Sequence, residues 1–258
     1  MYGFGFQYGK ISGGSAADLF IIEVDTTKAG SNSDQFQFTG AEGDYNVVAK
    51  QSGVIVQTFN NLSDEETITF SDGSGIYVLE VEAKEIDGFN RIRFANSGDN
   101  SKITDIKQWG SIVWSSFESS FWGCQNMLIT STDVPNLTNV GSLDKMFANA
   151  SLINPDTSNW NLINATNMRL MFLGTSNANT DARNWNPINA TNMDRIFDSS
   201  NLSTANLDAC YINWSQLSLK SNVSFGAGSS EYSSGAAATG RQKLIDDFNW
   251  TISDGGEV

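Results

Sequence analysis

The sequence lacks histidine altogether, over a length of 258 residues. Without histidine, a Ser-His-Asp triad, a Cys-His pair and an HExxH zinc site are all excluded. Cysteine is scarce as well, since Cys124 and Cys210 stand far apart and without a CxxC partner. One disulfide between them is an alternative to two reduced, buried thiols, which we favour because cysteine packs as a small hydrophobe. The sequence therefore predicts no metal site and no cofactor, and it singles out no catalytic residue.

Positive charge is also in short supply, with 15 Lys and Arg against 29 Asp and Glu and a formal net charge of −14. Such a surface repels phosphate backbones and anionic lipid, so neither nucleic acid nor a membrane is an expected partner. No apolar run approaches the roughly 18 residues of a membrane-spanning helix. The N-terminal stretch MYGFGFQYGK has no basic segment and no long apolar run, so we expect no standard signal peptide.

What the sequence does contain is a repeat. The letters INATNM occur at 163–168 and again at 188–193, which defines a period of 25. Three longer segments align at the same spacing, LTNVGSLDKMF (137–147), LINATNMRLMF (162–172) and PINATNMDRIF (187–197), and a degenerate copy with one extra residue precedes them. A period of roughly 20–29 residues is typical of leucine-rich-repeat-like solenoids.

Apolar residues recur with this period and predict the core of a stack of copies. Ala165, Met168 and Phe172 are spaced as one face of a short helix, and Trp160 and Leu162 as a short half-buried strand. Because one copy cannot bury its own apolar side, neighbouring copies must cover it. We therefore assign a structural role, and no ligand role, to a core ladder formed by Leu143, Met146, Phe147, Trp160, Met168, Met171, Phe172, Trp185, Met193, Ile196 and Phe197.

The polar residues of the repeat have two interpretations. The recurring Asn-Ala-Thr has the form of a glycosylation sequon, at Asn164 and Asn189 among other places. We favour the alternative that these side chains satisfy backbone groups at each strand-to-helix turn. The positions expected on the surface between the ladders are Arg169, Asp181, Arg183, Asp194 and Arg195.

The pattern W-N-x-x-N-x-T-N-M-x-x-M-F, at 160–172 and 185–197, resembles the leucine-rich-repeat variant of bacterial surface proteins from mycoplasmas, Bacteroidetes adhesins and phages of such bacteria. The resemblance covers about 100–258, including an entry coil at 102–127 and a closing segment at 241–256. It implies a non-catalytic display or binding scaffold that follows a β-sandwich, and it offers no catalytic residues to carry over.

The expected fold class is mixed β plus repeat, with an N-terminal antiparallel β-sandwich followed by a short leucine-rich-repeat-like α/β solenoid with a C-terminal cap. Seven short β-branched or alternating runs, bounded by Gly, Asp and Ser turns, predict an Ig-like sandwich over 18–97. The solenoid of period 25 is expected over 98–222 and a capping helix and strand over 223–258. Hydrophobic residues make up 40% of the chain, which is enough to bury such a core.

Residues 1–17 form a third region, in which aromatic residues alternate with glycine or glutamine. The aromatic members are Tyr2, Phe4, Phe6 and Tyr8. Alternation of this kind puts all four rings on one side of an extended strand. A tail or a first strand of the sandwich is one interpretation, and a docking arm that adds as a strand to a partner is the other.

Three classes of function remain. The first is a phage virion structural protein, such as a head fibre, tail fibre or decoration subunit, which needs no export signal because lysis releases it. Its partners would be other virion proteins through the arm, a host-surface glycan or protein, and further copies of itself, with a trimer favoured. The second is a bacterial surface adhesin or carbohydrate-binding module. The third is a glycan-degrading enzyme with paired carboxylates, which no spacing supports.

Overall fold

The computed structural model describes residues 15–85 and 88–258, and the expectation for Tyr2, Phe4, Phe6 and Tyr8 lies outside them. The described residues form a mostly β structure with one six-stranded mixed sheet and few helices. The strands are β1 (Phe20–Asp25), β2 (Gln35–Gln37), β3 (Asp44–Gln51), β4 (Val54–Ser63), β5 (Thr67–Thr69), β6 (Ile76–Ala83), β7 (Ile103–Gln108), β8 (Leu128–Ile129), β9 (Ser224–Gly226) and β10 (Thr251–Ser253). The helices are α1 (Thr204–Trp214) and α2 (Ala236–Phe248), with one 3₁₀ turn at Ala16–Asp18 before β1.

The large sheet has the order β4-β3-β6-β1-β7-β8 and is open, with β4 and β8 at its edges. Its first five strands pair antiparallel, whereas β8 joins β7 in parallel. Six of the seven predicted runs form the strands β1 to β6. The seventh, at 90–95, contributes only an isolated bridge between Arg91 and Glu42.

A second layer covers one face of this sheet, because β2 and β5 pair with each other and not with the large sheet. Phe70, just after β5, stacks on Tyr77 of β6 with ring centroids 3.8 Å apart. Phe38, just after β2, packs on Tyr45 of β3 at 5.2 Å. The alternation of buried and partly buried residues in β1 and through most of β6 follows from this one-sided cover.

The large sheet continues past residue 97, where the sequence predicts the boundary between sandwich and repeats. β7 lies at 103–108 and pairs with β1, and Trp109 follows it directly. The Trp109 ring contacts Phe20 of β1 at 6.1 Å and Trp160 of the repeats at 6.3 Å. Sheet and repeats therefore share one hydrophobic core, and the domain limits given above stay predictions.

The prediction of a short helix in each repeat copy was wrong, since residues 137–200, described throughout, contain no helix. In this stretch consecutive turns are closed by hydrogen bonds between residues three apart. Leu170 has φ 56°, a left-handed conformation that an α-helix cannot contain, and the same conformation recurs one period away at Lys145 and Arg195. Overlapping turns bring side chains to one side every three or four residues, as a helix does. The spacing of the apolar residues therefore could not distinguish a run of turns from a helix.

A ladder of backbone hydrogen bonds joins each copy to the next. The N–H groups of Leu143, Lys145, Phe147 and Asn149 donate to the carbonyls of Asn167, Arg169, Met171 and Leu173, at 2.7–2.9 Å. The next interface has the same pattern of bonds, at 2.8–3.0 Å. The N–H donors are Met168, Leu170, Phe172 and Gly174, and the carbonyl acceptors are Asn192, Asp194, Ile196 and Asp198. The offset along the chain from donor to acceptor is the same in both interfaces. It is one position longer for the degenerate copy, whose donors are Phe117, Ser119, Phe121 and Gly123, because that copy has one extra residue.

The side chains inside this ladder form a continuous column. Phe121, Phe147, Phe172 and Phe197 stack with successive ring centroids 5.8, 5.5 and 5.9 Å apart. All eleven residues assigned to the core ladder are buried, with exposed fractions of at most 3%. Aromatic stacks at such distances add to the free energy that burial alone provides.

At the C-terminal end β9 takes the place of a further copy. Met193 and Phe197 donate their N–H groups to the carbonyls of Ser224 and Gly226 at 2.9 and 3.0 Å, and β10 then pairs with β9 in parallel. Helices α1 and α2 pack together beside these strands. Trp214 of α1 packs on Phe225 of β9 with ring centroids 5.5 Å apart. A side-chain oxygen of Asp254 also accepts from Tyr211 Oη at 2.6 Å and from Arg241 Nε at 2.6 Å.

The left-handed turn positions give a testable prediction. Gly174 has φ 70°, and an added Cβ would overlap Asn149 Oδ1 of the preceding copy. Gly174→Ala should therefore lower the free energy of unfolding by about 1–3 kcal/mol, measured by urea denaturation. Gly141→Ala is the matched control, because a Cβ there meets nothing within 4 Å; its effect should stay below about 1 kcal/mol. Equal losses in the two variants would contradict this account of the ladder.

Candidate interaction surface

The outward positions of the turns form a surface that crosses the copies. Because the copies are hydrogen bonded as parallel strands are, equivalent residues of neighbouring copies lie about 4.8 Å apart. One row of equivalent positions contains Glu118, Asp144, Arg169 and Asp194. We use the name turn face for the contiguous group made of Trp122, Asp144, Lys145, Arg169 and Asp194.

Loose ion pairs connect the members of the turn face. Lys145 Nζ lies 5.0 Å from the centroid of the Trp122 ring and 3.7 Å from Asp144 Oδ2. Arg169 Nη1 is 3.6 Å from Asp144 Oδ1, and Arg169 Nε is 3.8 Å from Asp194 Oδ2. These separations exceed those of hydrogen bonds. The ammonium and guanidinium groups thus keep donors that could bind a carboxylate or hydroxyl of a ligand.

Trp122 supplies the apolar part of this surface. Among the aromatic residues in 15–85 and 88–258, only Phe59, Trp122 and Phe248 are partly exposed and not buried. A partly exposed indole can stack on a flat apolar face, such as that of a sugar ring, and can bind a cation through its π-system. Its position beside Lys145 combines stacking with a charged hydrogen-bond donor in one place.

The five surface positions expected from the sequence fall into two groups. Arg169 and Asp194 belong to the turn face, whereas Arg183 pairs with Asp181 at 2.8 Å and Arg195 pairs with Asp198 at 2.8 Å. The repeat pattern did not indicate Trp122, Asp144 or Lys145 as surface residues. A local signal did not separate Trp122 from a core residue, because large residues next to the phenylalanine column, such as Met146 and Met171, are buried.

The repeated Asn-Ala-Thr does satisfy backbone groups, as expected from the sequence, although between turns and without a helix. Asn164 Nδ2 donates to the Thr138 carbonyl at 2.7 Å, and Asn189 Nδ2 donates to the Ile163 carbonyl at 2.8 Å. Thr191 Oγ1 donates to the carbonyl of the equivalent threonine one copy earlier, at 3.1 Å. These side chains therefore strengthen the attachment of each copy to the preceding one.

A buried ion pair lies where the sheet meets the repeats. Lys102 and Asp99 are both fully buried, with Nζ 3.6 Å from Oδ2. Lys102 Nζ donates to the carbonyls of Ser31, Asn32 and Gln35 at 2.8–3.1 Å. Burial lowers the pKa of Lys102, and the charge of Asp99 opposes that shift. Since its donors are directed at backbone oxygens, this pair holds the loop before β2 in place and is structural.

The described residues offer less for a metal site, a reactive thiol, a ligand pocket or a membrane span. In residues 15–85 and 88–258 no group of three or more His, Cys, Asp or Glu side chains could hold a metal ion. Cys124 and Cys210 are free and buried, as predicted, and burial raises the pKa of both thiols. A depression of about 580 Å³ lies along α2, between Ala238 and Asp247, and is lined by that helix alone. No helix within the described ranges is long and apolar enough to cross a membrane.

Comparisons with known proteins bear on the repeats. A family model described as a Mycoplasma protein of unknown function, DUF285, matches residues 94–228, which is slightly more than half of the chain. The match contains the whole turn face and the phenylalanine column. Searches of curated proteins and of solved structures gave no match.

The buried ion pair gives a second prediction. Lys102→Met leaves the Asp99 carboxylate buried without a countercharge, and should lower the free energy of unfolding by about 3–5 kcal/mol. Lys107→Met is the control, because Lys107 is about one-third exposed and pairs with Glu23 and Asp105; this variant should lose less than about 1 kcal/mol. The free energy of unfolding of both variants is to be measured by urea denaturation. A loss at Lys102 no larger than that at Lys107 would argue against a structural role for the buried pair.

Proposed function

The chain belongs to the DUF285 family, and from that premise we propose that it is a non-enzymatic phage virion protein, a head fibre, tail fibre or decoration subunit, that displays its repeats for host attachment. The observation that carries this proposal is the separation of roles within each copy. Backbone hydrogen bonds fix the copies to one another, while the outward row changes from Glu118 to Asp144, Arg169 and Asp194. A rigid frame with interchangeable outward residues suits recognition better than catalysis.

We also propose that the copies form a short leucine-rich-repeat-like solenoid. The constant offset of the hydrogen bonds and the even spacing of the Phe147, Phe172 and Phe197 rings support this. In such an arrangement each copy contacts only its neighbours, and the ends need caps. β9, β10 and the two helices would be the cap on the C-terminal side.

The proposed recognition site is the turn face, and the proposed ligand is a glycan or a protein on the host surface. Trp122 would stack on the apolar face of a sugar or side chain, while Arg169 and Lys145 would donate hydrogen bonds to its hydroxyl or carboxyl groups. The local balance of two positive and two negative charges supports this, because the strongly negative chain would otherwise repel acidic host polymers.

A bacterial surface adhesin or carbohydrate-binding module is the second candidate. The observation that favours it is the description of the matched family, which names a cellular organism and not a virus. Both candidates use the same surface, and they differ in location: the virion surface in the first case and the bacterial cell surface in the second. In both we expect a homo-oligomer, with a trimer favoured, and neither nucleic acid binding nor insertion into a membrane.

Ligand binding is tested on a glycan array with the full chain. We expect Trp122→Ala to reduce binding at least tenfold, because the stacking surface is removed. Phe248→Ala is the matched control, a second half-buried aromatic residue located on α2, and should bind as the unchanged protein does. Equal binding by both variants would exclude the turn face, and no binding by the unchanged protein would contradict a glycan ligand.

Location needs a separate measurement. Mass spectrometry of phage particles purified by density gradient should detect the chain in a fixed ratio to the capsid protein. Its presence in the cell envelope of phage-free cultures, and its absence from particles, would favour the adhesin.

A further inference from the structure

One edge of the large sheet is without a partner strand among the described residues and is apolar at its start. β4 has ten residues and pairs only with β3. At its start Val54 is 66% exposed and Ile55 42% exposed. The backbone N–H and C=O groups on the outer side of an edge strand can accept another strand.

Two of the usual devices that block such pairing, charge and proline, are missing from β4, although the strand bulges where its register with β3 shifts, at Tyr45/Val47 and Ala49/Lys50. The strand VIVQTFNNLS contains no charged residue and no proline, although Lys or Pro commonly protects an exposed edge. The opposite edge is different, because β8 has only two residues. The start of β4, where Val54 and Ile55 are exposed, is therefore open to pairing in the described fold.

The segment suited to pair with it is residues 2–8. In MYGFGFQYGK the aromatic rings alternate with glycine or glutamine and no proline occurs. In an added strand all four rings would lie on one face. There they could cover the exposed Ile55 of β4, and aromatic residues beside β-branched ones stabilise strand pairs.

The length of the chain decides between an arm from the same copy and an arm from another. The start of the described chain is tied to β7, where Gln108 Nε2 donates to the Ala16 carbonyl at 2.7 Å. A strand added outside β4 would lie five strand spacings from β7, or roughly 24 Å. Full extension from Tyr8 to Ser15 covers only about 25 Å, which leaves no length for passing around the sheet.

We propose that residues 2–8 of one copy add as a strand to the β4 edge of a second copy. This proposal deepens the assembly role proposed for the N-terminal arm. It does not depend on ligand binding by the turn face, so either proposal can fail without the other. The interaction would be β-augmentation, in which main-chain hydrogen bonds supply affinity and the alternating side chains supply specificity. It would also cover the apolar edge in the assembled protein.

The first test is the mass in solution, by light scattering. The full chain should be an oligomer, whereas a chain lacking residues 2–14 and the variant Ile55→Lys should both be monomers. Leu152→Lys is the matched control: Leu152 is 44% exposed and lies in the repeats, so this variant should remain an oligomer. A monomeric full chain, or an Ile55→Lys variant that remains an oligomer, would overturn the proposal.

A cross-linking test distinguishes the two sources of the arm. Phe4→Cys and Ile55→Cys chains carrying different tags are co-expressed and treated with a short bis-maleimide, while the buried Cys124 and Cys210 do not react. We expect a product with the mass of two chains and both tags. If the double variant instead cross-links within one chain and the mixed single variants do not, the arm serves its own copy and the proposal is wrong.

Discussion

The repeat part of the structure depends on one arrangement of backbone hydrogen bonds. In each copy alternate N–H groups close the turns of that copy, and the others donate to the next copy at an offset that is constant within each interface. This division satisfies donors that would otherwise be buried without partners. It also requires left-handed backbone at fixed places, including Lys145, Leu170 and Arg195. Three bulky residues accept this conformation because the hydrogen bonds on both sides of them hold it.

The same arrangement explains why the copies need the sheet. A stack of turns has an open end, and its phenylalanine column would be exposed to water there. At the N-terminal end the aromatic contacts of Trp109 continue the column into the core beneath β1. The buried pair of Lys102 and Asp99 lies in the chain just before this junction and holds a loop of the sheet layer. Burial of an ion pair is costly, and here each charge is met by several hydrogen bonds.

With the inside of the repeats occupied by apolar residues, variation is left to the outside. Positions that follow the phenylalanine column carry Trp122, Leu173 and Asp198 in three of the copies, and the neighbouring row carries residues of both charges. Such positions can change without disturbing the ladder, because the hydrogen bonds come from the backbone. The turn face and the β4 edge lie on different parts of the chain, so recognition and assembly could operate independently.

The sequence by itself determined the repeat, its period and the identity of the buried column, because the need to bury one side of every copy imposes the same residue types once per period. It also indicated the strands β1 to β6, four of which lie in the large sheet, and the buried state of Cys124 and Cys210. Tertiary structure decided the rest. Whether the spacing of Met168 and Phe172 meant helix or turns depended on hydrogen bonds to another copy, which local pattern does not contain. The turn face depended on which outward residues came into contact across copies. The continuation of the sheet through β7, and the free edge at β4, followed from strand order, which is a property of the folded chain and not of any one segment.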